Sequence, residues 1–92
     1  MKRILIVGGG TGGTILANNL ARRLRQEIDS ARVSVTMLSA SARHMYQPGL
    51  LYVAFGKMPA SDLYADEKAL LDPSIHFHVD PAESFDLDHN EV

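Results

Sequence analysis

Apolar positions change their period along this chain, and each change marks an element. Ile4, Leu5, Ile6 and Val7 form an unbroken run, which suits a parallel strand over roughly Lys2 to Val7, covered on both faces. From about Gly12 to Glu27, Leu16, Leu20, Leu24 and Ile28 recur at i+4 with Ala17 and Ala21 beside them, the apolar stripe of a helix. Asp29, Ser30 and Ala31 make a turn. From about Arg32 to Leu38, Val33, Val35 and Met37 alternate with Ser34 and Thr36, the period of a second strand. Strand, helix and strand within about 37 residues predict one βαβ unit. Ser39 to Gln47 reads as loop, punctuated by Pro48 and Gly49, and Leu50 to Phe55 as a short helical segment. Ser61 or Asp62 is placed to cap a helix over Leu63 to Leu71, closed by Asp72 and Pro73. Ile75, Phe77 and Val79 alternate with His76 and His78 as a third strand. Asp86 to Val92 reads as a strand turning at His89 and Asn90.

Between the first strand and the helix lies Gly8-Gly9-Gly10-Thr11-Gly12-Gly13. Gly8, Gly10 and Gly13 fill the three glycine positions of the dinucleotide fingerprint G-x-G-x-x-G. The first lets the chain turn off the strand end. The second lets the backbone approach a pyrophosphate, and the third lets the helix pack closely on the strand. Free amides of the helix's first turn, with the positive end of its dipole, then hold the phosphate charge. Glycine turns also serve structure alone, but this one follows a buried-strand pattern and opens an amphipathic helix. The dinucleotide reading therefore leads.

Composition narrows the classes. The 92 residues carry a formal net charge of −2, with 46% hydrophobic and 22% charged positions. One small domain of this kind has no basic excess to attract nucleic acid. Apolar runs such as Gly49 to Gly56 fall far short of the roughly 20 residues needed to cross a bilayer. Met1-Lys2-Arg3 and the run after it begin like a signal peptide, yet glycines interrupt at once. A cytoplasmic chain is expected. Having no cysteine, it offers neither a disulfide framework nor thiolate ligands. Two or three parallel strands with one covering helix leave the other sheet face bare, so residues 1–92 are expected to be the N-terminal piece of a larger protein.

The end of the second strand in a Rossmann unit usually carries an acid for the ribose hydroxyls. Ser39 stands there, followed by Ala40 and Ser41. A hydroxyl still bonds a ribose oxygen, without the charge-assisted part, and Arg43 nearby suits a phosphate. NADP fits that pairing too.

The glycine segment, Val35 to Ala40, and above all Arg43-His44-Met45-Tyr46-Gln47-Pro48-Gly49-Leu50-Leu51-Tyr52-Val53-Ala54-Phe55-Gly56 resemble sulfide:quinone oxidoreductases. These are FAD-dependent members of the pyridine nucleotide-disulfide oxidoreductase superfamily, with type II NADH dehydrogenases as relatives. The resemblance runs through all 92 residues to the Phe85–Val92 hairpin start. It implies an α/β fold: a Rossmann-like βαβ unit within an incomplete three-layer FAD-binding domain. It implies that Gly8, Gly9, Gly10, Thr11, Gly12 and Gly13 hold the FAD pyrophosphate, with Ser39 and Ala40 at the adenosine ribose. Arg43 would lie near the adenine side and Pro48 close to the isoalloxazine ring. In the full protein, sulfide or another small reductant would reduce FAD and a quinone would reoxidise it. A type II NADH:quinone dehydrogenase is the alternative enzyme, and a non-catalytic FAD or NAD(P) module the alternative class. Redox cysteines, the quinone site and any peripheral contact with the inner membrane would lie downstream of Val92, so the 92 residues alone are expected not to turn over substrate.

Other candidates are weaker. His44 lies in the loop placed near the flavin by resemblance, and an ordinary polar loop residue is its equal reading. His76 and His78 share one side of a strand, but a metal needs further ligands, and a solvated face is preferred. Asp62, Asp66 and Glu67 suit a helix start, and nothing in the sequence pairs them for acid–base work. Asp86 to Asn90 begins like a calcium loop, yet Glu91 stands where that loop needs glycine. Arg22, Arg23 and Arg25 read as a solvated helix face, and Tyr46, Tyr52 and Tyr64 as packed aromatics. No catalytic or metal-ligating residue is assigned.

Overall fold

The computed structural model describes residues 2–45, 54–57 and 59–92, without the side chains of residues 60 and 62. A three-stranded parallel sheet is built from β1 (Lys2–Val7), β2 (Val33–Ser39) and β5 (His76–Val79), in the order β1-β2-β5. Ile4 pairs with Val35 and Ile6 with Met37, and on the other side Met37 pairs with Phe77. The helical connection after β1 is α1 (Thr11–Arg23), followed by a short α2 (Arg25–Asp29). Leu24 lies between the two, off helical dihedrals at φ −104° and ψ 24°. Ala31, at φ 60°, completes the turn into β2.

One sheet face is covered. Ile6, Val35 and Met37 pack there with Ala17, Ala21, Leu71 and Ile75, and Ile4, Leu20, Ile28, Val33 and Phe77 close around them. The centre of the helix face differs from the sequence expectation. Ala17 and Ala21 are fully buried, whereas Leu16 is 49% exposed. Small side chains at the contact let the helix axis approach the sheet, which moves the leucine stripe to the flank. Among the described residues the opposite face is only partly covered: Leu5 and Val7 of the unbroken β1 run are nearly half exposed, and Ser34, Thr36 and Leu38 of β2 are half-buried.

Two further corrections concern the connection after β2. Its first part contains β3 (Arg43–Met45), and the expected helix over Leu63 to Leu71 is divided. A 3-10 turn at Ala60–Leu63 leads into β4 (Tyr64–Asp66) and the four-residue helix α3 (Glu67–Leu70). Antiparallel pairing of Arg43 with Asp66, His44 with Ala65 and Met45 with Tyr64 accounts for the division. The segment that local propensity favours as helix supplies backbone groups to β3 instead. The helical segment expected over Leu50 to Phe55 falls largely outside the described residues. Asp86 and Glu91 exchange backbone hydrogen bonds of 2.8 and 3.0 Å around a turn; the turn expected at His89 and Asn90 forms, but the strand expected there is reduced to this single bridge.

Candidate functional site

The glycine segment leaves the carboxyl end of β1 between two parallel strands and a helix. The Gly8 amide donates to the Leu38 carbonyl at 2.8 Å, which carries the ladder one step past β1. Gly8 then takes φ +116°, a conformation that side chains resist. Gly13 lies against that reversal. A β-carbon on it would stand 2.1 Å from the Gly8 carbonyl oxygen and 3.5 Å from the Ile6 side chain. These are the tight turn and close helix–strand packing expected of the first and third fingerprint glycines. At Gly10 and Gly12, chain neighbours and the backbone of α1 aside, no atom of the described residues lies within 4 Å of a β-carbon. Gly10 is the N-cap of α1, and the first helical amides after it have no acceptor within the helix.

Gly9, Gly10, Thr11 and Gly12 form one wall of a groove of about 470 Å³; Ser39, Ala40, Ser41, Arg43 and Met45 line the rest. The fold thus brings most of the sequence-predicted binding residues to one cleft, with Gly8 and Gly13 shaping the turn behind it. Pro48 lies outside the described residues, as do Tyr46 and Tyr52. Ser39 is buried and its hydroxyl is occupied: it donates to the Ser41 carbonyl at 2.8 Å and accepts from the Ser41 amide at 3.3 Å. Toward a ribose it therefore has acceptor capacity only. The Arg43 guanidinium stacks over the Tyr64 ring, 4.4 Å from its centroid, in a cation–π contact that holds the side chain at the groove.

Beneath the turn lies a group that the sequence reading gave only a place at a helix start. Glu67 is completely buried. One carboxylate oxygen is 2.7 Å from His44 Nδ1, and the other is hydrogen-bonded to the Thr14 hydroxyl. His44 Nδ1 is also 3.1 Å from the Gly9 carbonyl, and Thr14 Oγ1 is 2.8 Å from the Gly10 carbonyl. No local period in the sequence marks Glu67, because the chain from Leu63 to Leu71 runs through a 3-10 turn, a strand and a short helix rather than one helix.

The same side of the α1–α2 unit anchors the chain further along. Asn18 donates to the Leu70 carbonyl at 2.9 Å and accepts from the Asp72 amide at 2.8 Å. Arg25, read as part of a solvated face, instead bonds Asp72 at 2.6 Å. The Ser74 backbone amide, then its hydroxyl, then Arg25 hold the Asp72 carboxyl down from 3.8 to about 2. His76 and His78 are both exposed on β5.

Comparison with solved structures gives a TM-score of 0.77 to the sulfide:quinone oxidoreductase from the hyperthermophilic bacterium Aquifex aeolicus, at 24% identity. The match covers 96% of this chain and 19% of that one. The resemblance read in the sequence stands. Along the full 92 residues the chain is 29% identical to the mitochondrial sulfide:quinone oxidoreductase of Dictyostelium discoideum, of which it spans 19%. Over 58 residues it is 38% identical to the type II NADH:quinone oxidoreductase of Haemophilus influenzae, of which that match spans 12%. Both relatives are oxidoreductases by name, and the chain matches less than a fifth of either. No family model matches the chain. Among the described residues, no helix is long and apolar enough to cross a membrane.

Proposed function

We propose that this chain binds FAD as the N-terminal part of a Rossmann domain in a flavoprotein oxidoreductase of the sulfide:quinone oxidoreductase kind. The observation that carries the reading is the difference among the glycines. Gly8 and Gly13 are required by the fold, whereas Gly10 and Gly12 border open space in the groove. Amides at the start of α1 suit a pyrophosphate there. Ser39 and Ala40 would lie at the adenosine ribose and Arg43 toward the adenine, with Pro48 near the isoalloxazine ring.

FAD, when bound, supplies the redox chemistry; these residues bind and orient it. The donor in the whole protein would be sulfide, and the acceptor a quinone. The partly exposed sheet face beside Leu5 and Val7 supports further covering elements outside residues 1–92. Those elements would carry the turnover chemistry and any peripheral contact with the cytoplasmic side of the inner membrane. A type II NADH:quinone oxidoreductase is the second reading, supported by the relative from Haemophilus influenzae.

A visible absorption spectrum after incubation with FAD and desalting tests the cofactor. Retained flavin bands are expected; a folded, colourless protein overturns the reading.

A further inference from the structure

A turn that offers amides to a phosphate must send carbonyl oxygens the other way, and those oxygens need donors. The Gly9 carbonyl is 3.1 Å from His44 Nδ1, and the Gly10 carbonyl is 2.8 Å from Thr14 Oγ1. Each donor also contacts an oxygen of the same carboxyl group, that of the wholly buried Glu67. We infer that Glu67 and His44 are positioning residues for the glycine turn, a buried latch that fixes its backbone before nucleotide binds. The nucleotide reading above enters only in what the turn holds.

Three pieces of chain meet at this latch. Thr14 belongs to α1, His44 to β3, and Glu67 to α3, whose first amide donates to the Ala42 carbonyl at 2.9 Å. The pairing of β3 with β4 brings His44 and Glu67 together, and the carboxyl approaches the turn closely. A β-carbon on Gly9 would stand 3.5 Å from Glu67 Cδ. Both Nδ1 neighbours are oxygens, and the Gly9 carbonyl can only accept, so Nδ1 carries a hydrogen. Thr14 has one hydroxyl hydrogen and two close neighbours, Gly10 O and Glu67, with the Gly9 carbonyl farther off at 3.5 Å. If that hydrogen goes to Gly10, a donor in the place of the near Glu67 oxygen completes the pattern. Glutamine meets both demands, with its carbonyl toward His44 and its amide toward Thr14. Alanine meets neither.

The test compares the purified protein with E67Q, E67A, H44A and H44N, using hydrogen exchange of the segment spanning residues 8–17 without ligand, and FAD affinity. The expected result is exchange about tenfold faster and FAD binding about tenfold weaker in E67A and H44A, as suits the loss of a buried hydrogen-bond partner. E67Q and H44N restore both. Unchanged exchange and affinity in folded H44A overturn the latch. So does equal loss in E67Q and E67A, which would mean that the site needs the glutamate itself. Should E67A fail to fold, H44A and H44N decide. Loosening of the turn in E67A or H44A, rescued by E67Q or H44N, in a protein that does not bind FAD upholds the latch and removes the FAD reading.

Discussion

A β-carbon on Gly13 would stand 2.1 Å from the carbonyl oxygen of Gly8. That oxygen is backbone at a reversal fixed on one side by the hydrogen bond from Gly8 to Leu38, so neither partner can yield cheaply. The Gly13→Ala change should destabilise the protein by on the order of 3 kcal/mol, read as a lower midpoint in urea. At Gly12, one residue earlier and inside the same helix, no atom of the described residues outside the helix backbone lies within 4 Å of a β-carbon. Gly12→Ala should leave stability unchanged or raise it by up to about 1 kcal/mol. Equal losses for the two variants would contradict the packing described for the turn.

Gly9 and Ser39 predict a coupled pair. A β-carbon on Gly9 would meet Ser39 Oγ at 2.8 Å and Ser39 Cβ at 3.1 Å. Gly9→Ala should therefore destabilise in the wild-type background and much less in Ser39→Gly, which removes both atoms. A double-mutant cycle by urea denaturation should give a coupling of about 1 kcal/mol or more. Additive effects would place the strain elsewhere.

Asn18 bonds two backbone groups at once, the Leu70 carbonyl and the Asp72 amide. Removing it in Asn18→Ala should cost about 1–3 kcal/mol. Arg22, exposed and bonded to Asn19 one turn back, should tolerate alanine within about 0.5 kcal/mol. Thermal midpoints of the two variants provide the comparison.

Asp72 sets a pH window. Its carboxyl is held down from 3.8 to about 2, chiefly by the Ser74 amide and hydroxyl and then by Arg25. The depressed folded value means that its contribution is fully present above about 3.8. It is lost as pH falls through about 2. Asp72→Asn should flatten the fall in stability between those pH values and lower stability near neutrality. An unchanged acid limb would show that other carboxylates dominate there.

How much of this was legible beforehand depended on the range of the forces involved. Ile4 to Val7, the glycines and the alternation of Val33, Val35 and Met37 are local signals, and β1, α1 and β2 follow them closely. The helix's apolar stripe was found but centred wrongly, on Leu16, because the pattern records which residues are apolar, not how closely a helix can approach. Ala17 and Ala21 decide that. β3 and β4 are three residues each, too short for a period to show, and exist because Arg43–Met45 meets Tyr64–Asp66. Glu67 was read as a helix-start carboxylate for the same reason. Its partners His44 and Thr14 are 23 and 53 residues away in sequence, and only the folded chain reveals them.

Gly10 separates the fold from the ligand and so tests the central claim. Among the described residues, its chain neighbours aside, no atom lies within 4 Å of a β-carbon there, and as an N-cap at φ −76° the residue needs no special conformation. The decisive measurement is FAD affinity and thermal midpoint for Gly10→Ala beside the unaltered protein. FAD binding weakened at least about tenfold with the thermal midpoint unchanged is the predicted result, because the new methyl would stand where the proposed site puts the pyrophosphate. Equal FAD affinity in both proteins would contradict the assignment of this turn as the pyrophosphate site.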